Sequence, residues 1–490
     1  MANTGYADPY KRRRRWGTVL GVVLTLGVVV GTTAWYKLFR EVPQTIDGME
    51  AYYRYGSIGT EQEEGIPYYV WIVLPRMFPE HLPGDGGYRS LGMAWEADQP
   101  TPVGFSKKTI GFPRVGINCA ACHAATYRTA PEATPIIVAT GPSQTFDPQA
   151  YLRFLSAAAS DPGFTPGAVL EHIRDEVQLS WLDRLLYRFL IIPRTRDGLL
   201  EQAERFAWTE SRPRWGPGRI DPFNPVKFHP DLLGLDPAAD TTIGNSDIMP
   251  IWAMDRQEGY SLHWDGLNDS LTEVVLSGAV GDGARPKSLP VERLAELEAF
   301  IRHKEPPPYP FLDQLDKELA AQGEAVFRQN CATCHATDGA RTGTVIPLQE
   351  IGTDHHRLEM WTTEAAERYN DYARDYPWDF NAFVKTDGYV AKPLDGIWLR
   401  APYLHNGSVP TLEDMLEPAE RRPETFYRGY DVYHPERMGF IHQGEEAQRL
   451  GFHYDTREPG NSNAGHEGPQ FGTELSAEDK EALIEYLKTR

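Results

Sequence analysis

Two five-residue motifs of one pattern constrain this chain more than any other feature: Cys119-Ala-Ala-Cys122-His123 and Cys331-Ala-Thr-Cys334-His335. Each reads Cys-x-x-Cys-His, and together they use all four cysteines of the 490-residue chain. Two thiols at this spacing form thioethers to one porphyrin, and the adjacent imidazole then binds the iron from the proximal side. The motifs therefore predict two covalently bound haem c groups.

Two other uses of paired cysteines fit the pattern poorly. Two Cys-x-x-Cys pairs build a four-thiolate zinc site when they lie about 15–20 residues apart. Here Cys122 and Cys331 lie in opposite halves of the chain. Paired disulfides would not need a histidine directly after each second cysteine. Covalent haem is the interpretation that accounts for both histidines, His123 and His335.

The N-terminus predicts where the protein sits. A basic cluster, Lys11–Arg15, precedes the uncharged run Gly17–Tyr36. Twenty helical residues at about 1.5 Å each span a hydrocarbon core of about 30 Å. The basic flank stays cytoplasmic, so we expect residues 1–16 in the cytoplasm, an inner-membrane anchor over 17–36 and the rest in the periplasm. A cleaved signal peptide is the alternative.

The charge balance argues against one class of partner. The net charge is −20 and the pI is about 5.2, which disfavours binding to nucleic acid. An acidic exported protein could attract a basic periplasmic or membrane redox partner, although solubility alone also explains the charge. No second long apolar run follows the first, so the remainder should be soluble.

A proline cluster divides the chain between the two motifs. Residues 305–312 contain Glu305-Pro-Pro-Pro-Tyr-Pro310, which cannot continue a helix and makes a stiff connector. We therefore expect an N-terminal haem domain over 37–304, with loop-rich insertions, and a C-terminal cytochrome c-like domain over 313–490. The predicted fold is mainly α, with two cytochrome c-like domains and one transmembrane helix.

Each predicted domain closes with an amphipathic helix. Apolar residues recur at helical spacing in 290–304 and in 476–488. Residues 313–329 form a similar pattern before the second haem motif, where Gly323 would allow close approach of two helices. In the first domain, 65–71 and 82–88 are predicted as loops and short strands over the haem, and 148–160 and 166–189 as helices.

A further internal repeat supports two copies of one unit. The segment 263–273 begins His-Trp-Asp-Gly, and 405–414 begins His-Asn-Gly. Both continue to a Ser or Thr followed by Leu, which is typical of a helix start. When the two segments are aligned at their first residues, His263 corresponds to His405.

The distal iron ligands decide between electron transfer and chemistry. In the second domain, the loop 460–466 before the closing helix ends in His466, the preferred distal ligand; His405 is the next candidate, ahead of Met415, Met438, His442 and His453. In the first domain, residues 264–290 contain no His, Met, Cys or Tyr. Haem one should therefore have an open distal face, with a wall drawn from Trp252, Leu262, His263 and Trp264. Catalytic residues cannot be assigned from these patterns.

Several phrases resemble known families. The stretch 399–412 is similar to the signature of the bacterial di-haem cytochrome c peroxidase superfamily. Four others look closer to the rubber-oxygenase-like di-haem cytochromes: 55–59, 263–266, 426–430 and 460–466. The resemblance implies that the N-terminal haem binds dioxygen and that two histidines hold the C-terminal one. The peroxidase axial Met falls at Ala419 here, which favours His466.

Three functions are consistent with these observations. The first is a periplasmic oxidoreductase in which haem one reacts with peroxide or dioxygen and haem two relays electrons. The second is a pure electron-transfer cytochrome that serves a membrane redox partner. The third is a structural or sensory haem protein. An open iron at haem one separates the first from the others.

Overall fold

The computed structural model describes residues 9–374, 376 and 378–490. Helices account for 44% and strands for 11%, which confirms the mainly helical character. The helices before the proline cluster are α1 (Pro9–Leu38), α2 (Met49–Tyr55), α3 (Tyr68–Met77), α4 (Pro148–Ser160), α5 (Pro166–Glu176), α6 (Trp181–Leu186), α7 (Ile192–Phe206), α8 (Asn224–Phe228), α9 (Leu271–Gly281) and α10 (Val291–His303). Those after it are α11 (Lys317–Asn330), α12 (Ala332–His335), α13 (Leu348–Ile351), α14 (His356–Met360), α15 (Thr363–Tyr372), α16 (Leu412–Met415), α17 (Glu445–Leu450) and α18 (Ala477–Leu487).

The strands are short and antiparallel. They are β1 (Glu41–Val42), β2 (Ile66–Pro67), β3 (Phe105–Ile110), β4 (Phe112–Ile117), β5 (Ala124–Tyr127), β6 (Ile136–Ala139), β7 (Arg219–Ile220), β8 (Ser246–Asp247), β9 (Val345–Pro347), β10 (Gly388–Val390), β11 (Thr425–Arg428), β12 (Tyr433–His434), β13 (Gly439–Phe440) and β14 (Phe452–Asp455). One sheet has four strands in the order β1-β3-β4-β2, and the described ladders otherwise pair two strands each.

Helix α1 contains the predicted anchor. Its segment Thr18–Leu38 is long and apolar enough to cross a membrane, and none of it is buried against the protein. A signal sequence would meet the same criteria of length and composition. Part of the predicted cytoplasmic segment 1–16 lies outside the described residues. Strand β1 begins only two residues after α1 and pairs with β3, with Glu41 opposite Ile110.

Helices α3, α4, α5 and α7 pack against this sheet around a shared apolar core. The prediction of loops and short strands over 65–71 holds only for Ile66–Pro67, because α3 begins at Tyr68. Helix α3 forms because it buries one face, including Val70, Trp71 and Leu74. The stretch 82–88 is largely irregular. The predicted helix 166–189 is broken after Glu176 and resumes at Trp181.

The closing helices occur where the sequence predicts them. In the C-terminal half, α11 and α18 cross at Gly323, where an added Cβ would lie 1.8 Å from the carbonyl oxygen of Ala482. Asp316 caps α11, and Ser476 caps α18. In the N-terminal half, α10 packs instead on the short α2, with the Phe300 and Tyr53 rings 5.3 Å apart.

The two halves interlock beyond the proline segment. Asp247 pairs with Arg428 at 2.5 Å, and Asp265 pairs with Arg357 at 3.1 Å; all four side chains are at most 7% exposed. Each pair joins a residue before the connector to one after it. Buried charges of this kind are stable only with their partners present, so the pairs fix the halves relative to each other.

Candidate haem centres

The first motif sits in a turn between strands β4 and β5. Asn118 accepts a hydrogen bond from the Ala120 N–H at 3.0 Å and holds the turn by donating to the Gly56 carbonyl at 2.9 Å. The Nδ1–H of His123 donates to the Met249 carbonyl at 2.8 Å. Burial lowers the pKa of His123 to about 4. The imidazole is therefore neutral, with Nε2 available as a metal ligand.

The second motif follows helix α11 and forms α12. The Nδ1–H of His335 donates to the Lys392 carbonyl at 2.7 Å, and burial lowers its pKa. Its surroundings therefore repeat those of His123. Both accepting carbonyls belong to a residue directly before a proline, Pro250 or Pro393. The repeated X-Pro dipeptide upstream of each internal repeat is a sequence signal that would have located both carbonyls.

None of the four cysteines forms a disulfide. Burial raises the pKa of Cys119 to about 12 and that of Cys331 to about 11. No disulfide therefore competes with thioether formation at either motif. Together with two neutral imidazoles, this donor set suits covalent haem at both motifs.

His466 faces His335. Their ring centroids are 6.1 Å apart. Two metal–imidazole bonds of about 2 Å each, placed between two rings, separate the ring centres by roughly 6 Å. Burial lowers the pKa of His466 to about 3, and its Nδ1 has no hydrogen-bond partner. The spacing and the neutral charge of the two imidazoles would therefore suit a metal ion bound between them.

The loop that carries His466 is held in a strained conformation. The buried guanidinium of Arg422 donates hydrogen bonds to three carbonyl oxygens of this loop, those of Asn463, Gly465 and His466. The His466 N–H donates to the Ile351 carbonyl at 2.7 Å. His466 itself adopts a φ of +48°, which costs free energy in a non-glycine residue. Strain maintained by this many contacts is common at functional sites.

His405, the other distal candidate, has different surroundings. Its ring stacks on Tyr389 with centroids 3.9 Å apart, and burial lowers its pKa to about 3. The neighbouring Asn406 donates to the carbonyls of Gly460 and Ser462. The phrase around His405 therefore supports the loop that carries His466. Of the remaining candidates, Met415 and Met438 lie in the apolar core, the His442 Nδ1–H donates to the Phe440 carbonyl, and His453 packs on Tyr427.

A cavity of about 490 Å³ adjoins the first motif. Its volume falls in the range of roughly 300–1,000 Å³ that is usual for a cofactor or ligand site. Cys119, Cys122 and His123 line it, as do three of the four predicted wall residues, Leu262, His263 and Trp264. Burial lowers the pKa of His263 to about 3, its Nε2 has no hydrogen-bond partner, and its ring packs 5.4 Å from Phe223.

Trp252, the fourth predicted wall residue, is not among the residues that line the cavity. Its indole N–H donates to the Asp395 carbonyl at 3.0 Å. Its ring lies against Gly141 and Gly396, where an added Cβ would come within 3.3 Å and 2.5 Å of it. In sequence, Trp252 therefore follows the segment that contacts His123. In space, its ring touches the segment that contacts His335.

Two half-buried cationic side chains in the cavity wall form no salt bridge with a carboxylate among the described residues. Lys392 donates to the Ser261 carbonyl at 2.9 Å, and Arg400 to the carbonyls of Pro393 and Asp395. Burial lowers the pKa of Lys392 to about 7 and that of Arg400 to about 10. Buried charges require counter-charges. The two propionates of a haem would supply them, so the cavity wall fits this group.

One cavity residue was not among the sequence candidates. Asp282 caps the C-terminal end of α9 and lines the cavity beside the first motif. Burial raises its pKa to about 7. A carboxylate at a helix C-terminus opposes the helix dipole, and this is the sequence signal that marks it.

The internal repeat is real, but its register differs from the predicted one. Leu262 bridges Asn268 as Tyr403 bridges Val409. The next residues, His263 and Leu404, both have positive φ, as do the two glycines, Gly266 and Gly407. Ser270 and Thr411 then cap α9 and α16. Trp264, and not His263, therefore occupies the position of His405.

Comparison with known proteins shows which families and proteins this chain is similar to. Residues 388–427 match the family described as RoxA-like, cytochrome c-like. The chain is 26% identical over 472 residues to "Uncharacterized protein y4iJ" of Sinorhizobium fredii (strain NBRC 101917 / NGR234), covering 76% of each chain. It is 29% identical over 292 residues to "Uncharacterized protein y4iM" of the same organism, covering 50% of this chain and 64% of that protein.

The matched segment contains Lys392, whose carbonyl accepts from His335, and the residues around His405. A cytochrome c-like segment implies covalently bound haem c. The segment 388–427 is thus similar to RoxA-like cytochromes c. Together with the second motif, this similarity points to the class of c-type cytochromes.

Proposed function

We propose that this chain is a membrane-anchored, periplasmic di-haem c-type cytochrome that acts as an oxidoreductase. One haem would be held by Cys119, Cys122 and His123, and the other by the second motif and His466. Haem iron with a vacant face binds small oxidants such as peroxide or dioxygen. The first centre is proposed to do this chemistry, and the second to relay electrons from a redox partner.

The main support for this proposal is the difference between the surroundings of His335 and those of His123. His335 has an imidazole opposite it at 6.1 Å. No described ring stands in that relation to His123; the nearby His263 packs on Phe223 instead. An iron bound on both sides transfers electrons, whereas an iron with one vacant side can bind a ligand. The cavity of about 490 Å³ beside His123 provides space for one.

Side chains around the cavity have separate roles in the proposal. Lys392 and Arg400 would hold the propionates of a bound haem. Asp282, with a pKa of about 7, can hold or release a proton at its carboxyl group near the first motif. Trp252 lies between the segments that contact the two proximal histidines and offers a route for electrons. Arg422 positions the loop of His466.

Ligand binding to the reduced protein tests the proposal. Full-length protein, first shown by a haemochrome assay to carry two haems, should bind carbon monoxide at one haem only. His466→Ala should open the second haem, because no imidazole then has to dissociate, and should convert its low-spin EPR signal to high-spin. His405→Ala is the control and should leave the second haem low-spin.

The opposite result in the two variants would assign the distal position to His405. If neither wild-type haem binds carbon monoxide, peroxide or dioxygen, the oxidoreductase proposal fails. A pure electron-transfer cytochrome then becomes the better account.

A further inference from the structure

An exposed apolar face runs along helix α6 and the helical turn that follows it. Trp181 is 74% exposed, Leu185 45% and Phe189 70%, and the adjacent Leu190 is 38% exposed. The spacing of four residues places the first three on one side of the helix. The opposite side packs into the core through Tyr187 and Ile191. This exposed face is called the α6 face below.

The α6 face lies beside the end of α1. Lys37, in the last turn of α1, pairs with Asp183 of α6 at 2.7 Å. The tip of the β3–β4 hairpin fills the space between the two helices. On one side of the tip, a Cβ at Gly111 would lie 2.3 Å from the backbone of Leu38; on the other, Phe112 contacts Tyr187 with ring centroids 6.3 Å apart.

The end of α1 also carries exposed aromatic residues. Trp35 is 57% exposed, Tyr36 49% and Phe39 67%. Aromatic side chains at the end of a membrane-spanning helix are typical of the level of the lipid headgroups. Exposed apolar side chains therefore lie both at the end of α1 and on α6, and the Lys37–Asp183 pair joins the two helices.

Arginines flank this surface beside the Lys37–Asp183 pair, although the chain as a whole carries −20. Arg184 and Arg188 lie on α6 and its following turn, and the guanidinium of Arg188 sits 5.8 Å over the Phe189 ring. Arg40 lies 4.7 Å over Tyr36. Apolar and aromatic residues flanked by arginines are the composition of a helix that lies in a membrane interface.

We propose that Trp181–Ile191 lies in the interface of the membrane that α1 crosses, with Trp181, Leu185 and Phe189 among the upper acyl chains. The inference rests on the membrane anchoring in the proposed function. It adds a second membrane contact, which holds the haem-bearing region flat against the lipid surface. The occupant of the α6 face is thus lipid, and not a protein.

Photolabelling in lipid tests the contact without any mutation. Full-length haem-loaded protein is reconstituted in vesicles of phosphatidylethanolamine and phosphatidylglycerol that contain a phospholipid with a photoreactive acyl chain. Peptides are then mapped by mass spectrometry. Peptides covering 17–36 and 181–191 should both carry lipid adducts. The peptide with Leu450, which is 52% exposed in the C-terminal half, should carry about tenfold less.

The outcomes separate the two proposals. Adducts on 17–36 without adducts on 181–191 overturn the α6 contact and leave the anchor intact. If neither peptide carries adducts, both the α6 contact and the membrane anchor are overturned. Crosslinks from 181–191 to a second copy of the chain, in place of lipid adducts, assign the face to self-association and overturn the proposal.

A matched pair of variants measures the contribution of the apolar side chains. Trp181→Ser with Phe189→Ser should reduce the adducts on 181–191 severalfold and leave those on 17–36 unchanged. Leu450→Ser should change neither. Unchanged labelling of 181–191 in the double variant would show that the α6 face does not insert.

Discussion

At the scale of single residues, Gly323 is a glycine that the packing requires. An added Cβ would lie 1.8 Å from the Ala482 carbonyl oxygen, which is a backbone atom of α18 and cannot move aside alone. Gly323→Ala should therefore lower the free energy of unfolding by about 1–3 kcal/mol, as overpacking does, despite the better helix propensity of alanine. Thermal unfolding followed by circular dichroism measures the change.

Gly198 in α7 is the matched control, because a Cβ added there would have no other atom within 4 Å. Gly198→Ala should stabilise the protein by about 0.5–1 kcal/mol through helix propensity. Equal effects of the two substitutions would contradict the close crossing of α11 and α18.

Arg422 is a positioning residue for His466. Arg422→Gln removes the guanidinium that binds the carbonyls of Asn463, Gly465 and His466. The strained loop should then relax, and a high-spin fraction should appear in the EPR spectrum of the second haem. Arg421→Gln changes a neighbouring exposed guanidinium that contacts only Glu417 among the described residues and should leave the spectrum unchanged. A low-spin spectrum in both variants would remove Arg422 from this role.

At the scale of elements, Glu64 ties the strand region to three helix ends. Its carboxylate pairs with Arg205 at the end of α7 at 2.9 Å, and lies 3.6 Å from Arg285 and 3.9 Å from His229. Burial alone would raise the pKa of Glu64, but the two hydrogen bonds from Arg205 and the positive charges of Arg205 and Arg285 outweigh it and lower the pKa from 4.5 to about 2.

The depressed pKa predicts an acid-sensitive contribution to stability. It is present above pH 4.5, where the unfolded-state carboxyl is also ionised, and is lost as the pH falls toward 2. Between pH 4.5 and pH 2, the free energy of unfolding of the wild type should fall by about 3 kcal/mol more than that of the Glu64→Gln variant. Denaturant unfolding at several pH values measures this. Glu63→Gln, an exposed neighbour, should keep the wild-type dependence; a Glu64→Gln curve parallel to wild type would refute the assignment.

Elements were predictable from sequence where a local pattern determines them. The closing helices α10 and α18 have clear apolar periodicity, and α18 begins after Ser476, a strong cap. Helix α3 was missed because prolines and aromatics surround it, and its formation depends on burial against a distant sheet. The register of the repeat was misjudged by one residue, since it is determined by Gly266 and Gly407 at positive φ and not by a shared histidine.

At the scale of the whole molecule, the two halves should unfold together. The proline segment suggested two separable domains, but buried pairs between distant residues cross it, and a local sequence pattern cannot reveal such pairs. Calorimetry on the haem-loaded protein should give one transition. Asp265→Asn, which leaves Arg357 buried without its partner, should lower stability by about 3–5 kcal/mol and keep a single transition. Two resolved transitions in wild type would show independent domains.

The candidate centres were likewise predictable only in part. Spacing along the chain predicts the haem-attachment residues, and loop position predicts His466; these assignments stay predictions. The proximal carbonyls of Met249 and Lys392, the carboxyl group of Asp282 and the cations that match the propionates become visible only when residues far apart in sequence are brought together.

The two residues between α1 and β1, Phe39 and Arg40, allow a reach of about 7 Å at most. A cytochrome on a long tether can swing to meet its electron donor and then its acceptor. This chain has no such freedom, since its first strand is hydrogen-bonded into the sheet as soon as the helix ends. With α1 in the membrane, as proposed, the proposed haem centres would stay at one height and one orientation, and a redox partner would have to move to reach them.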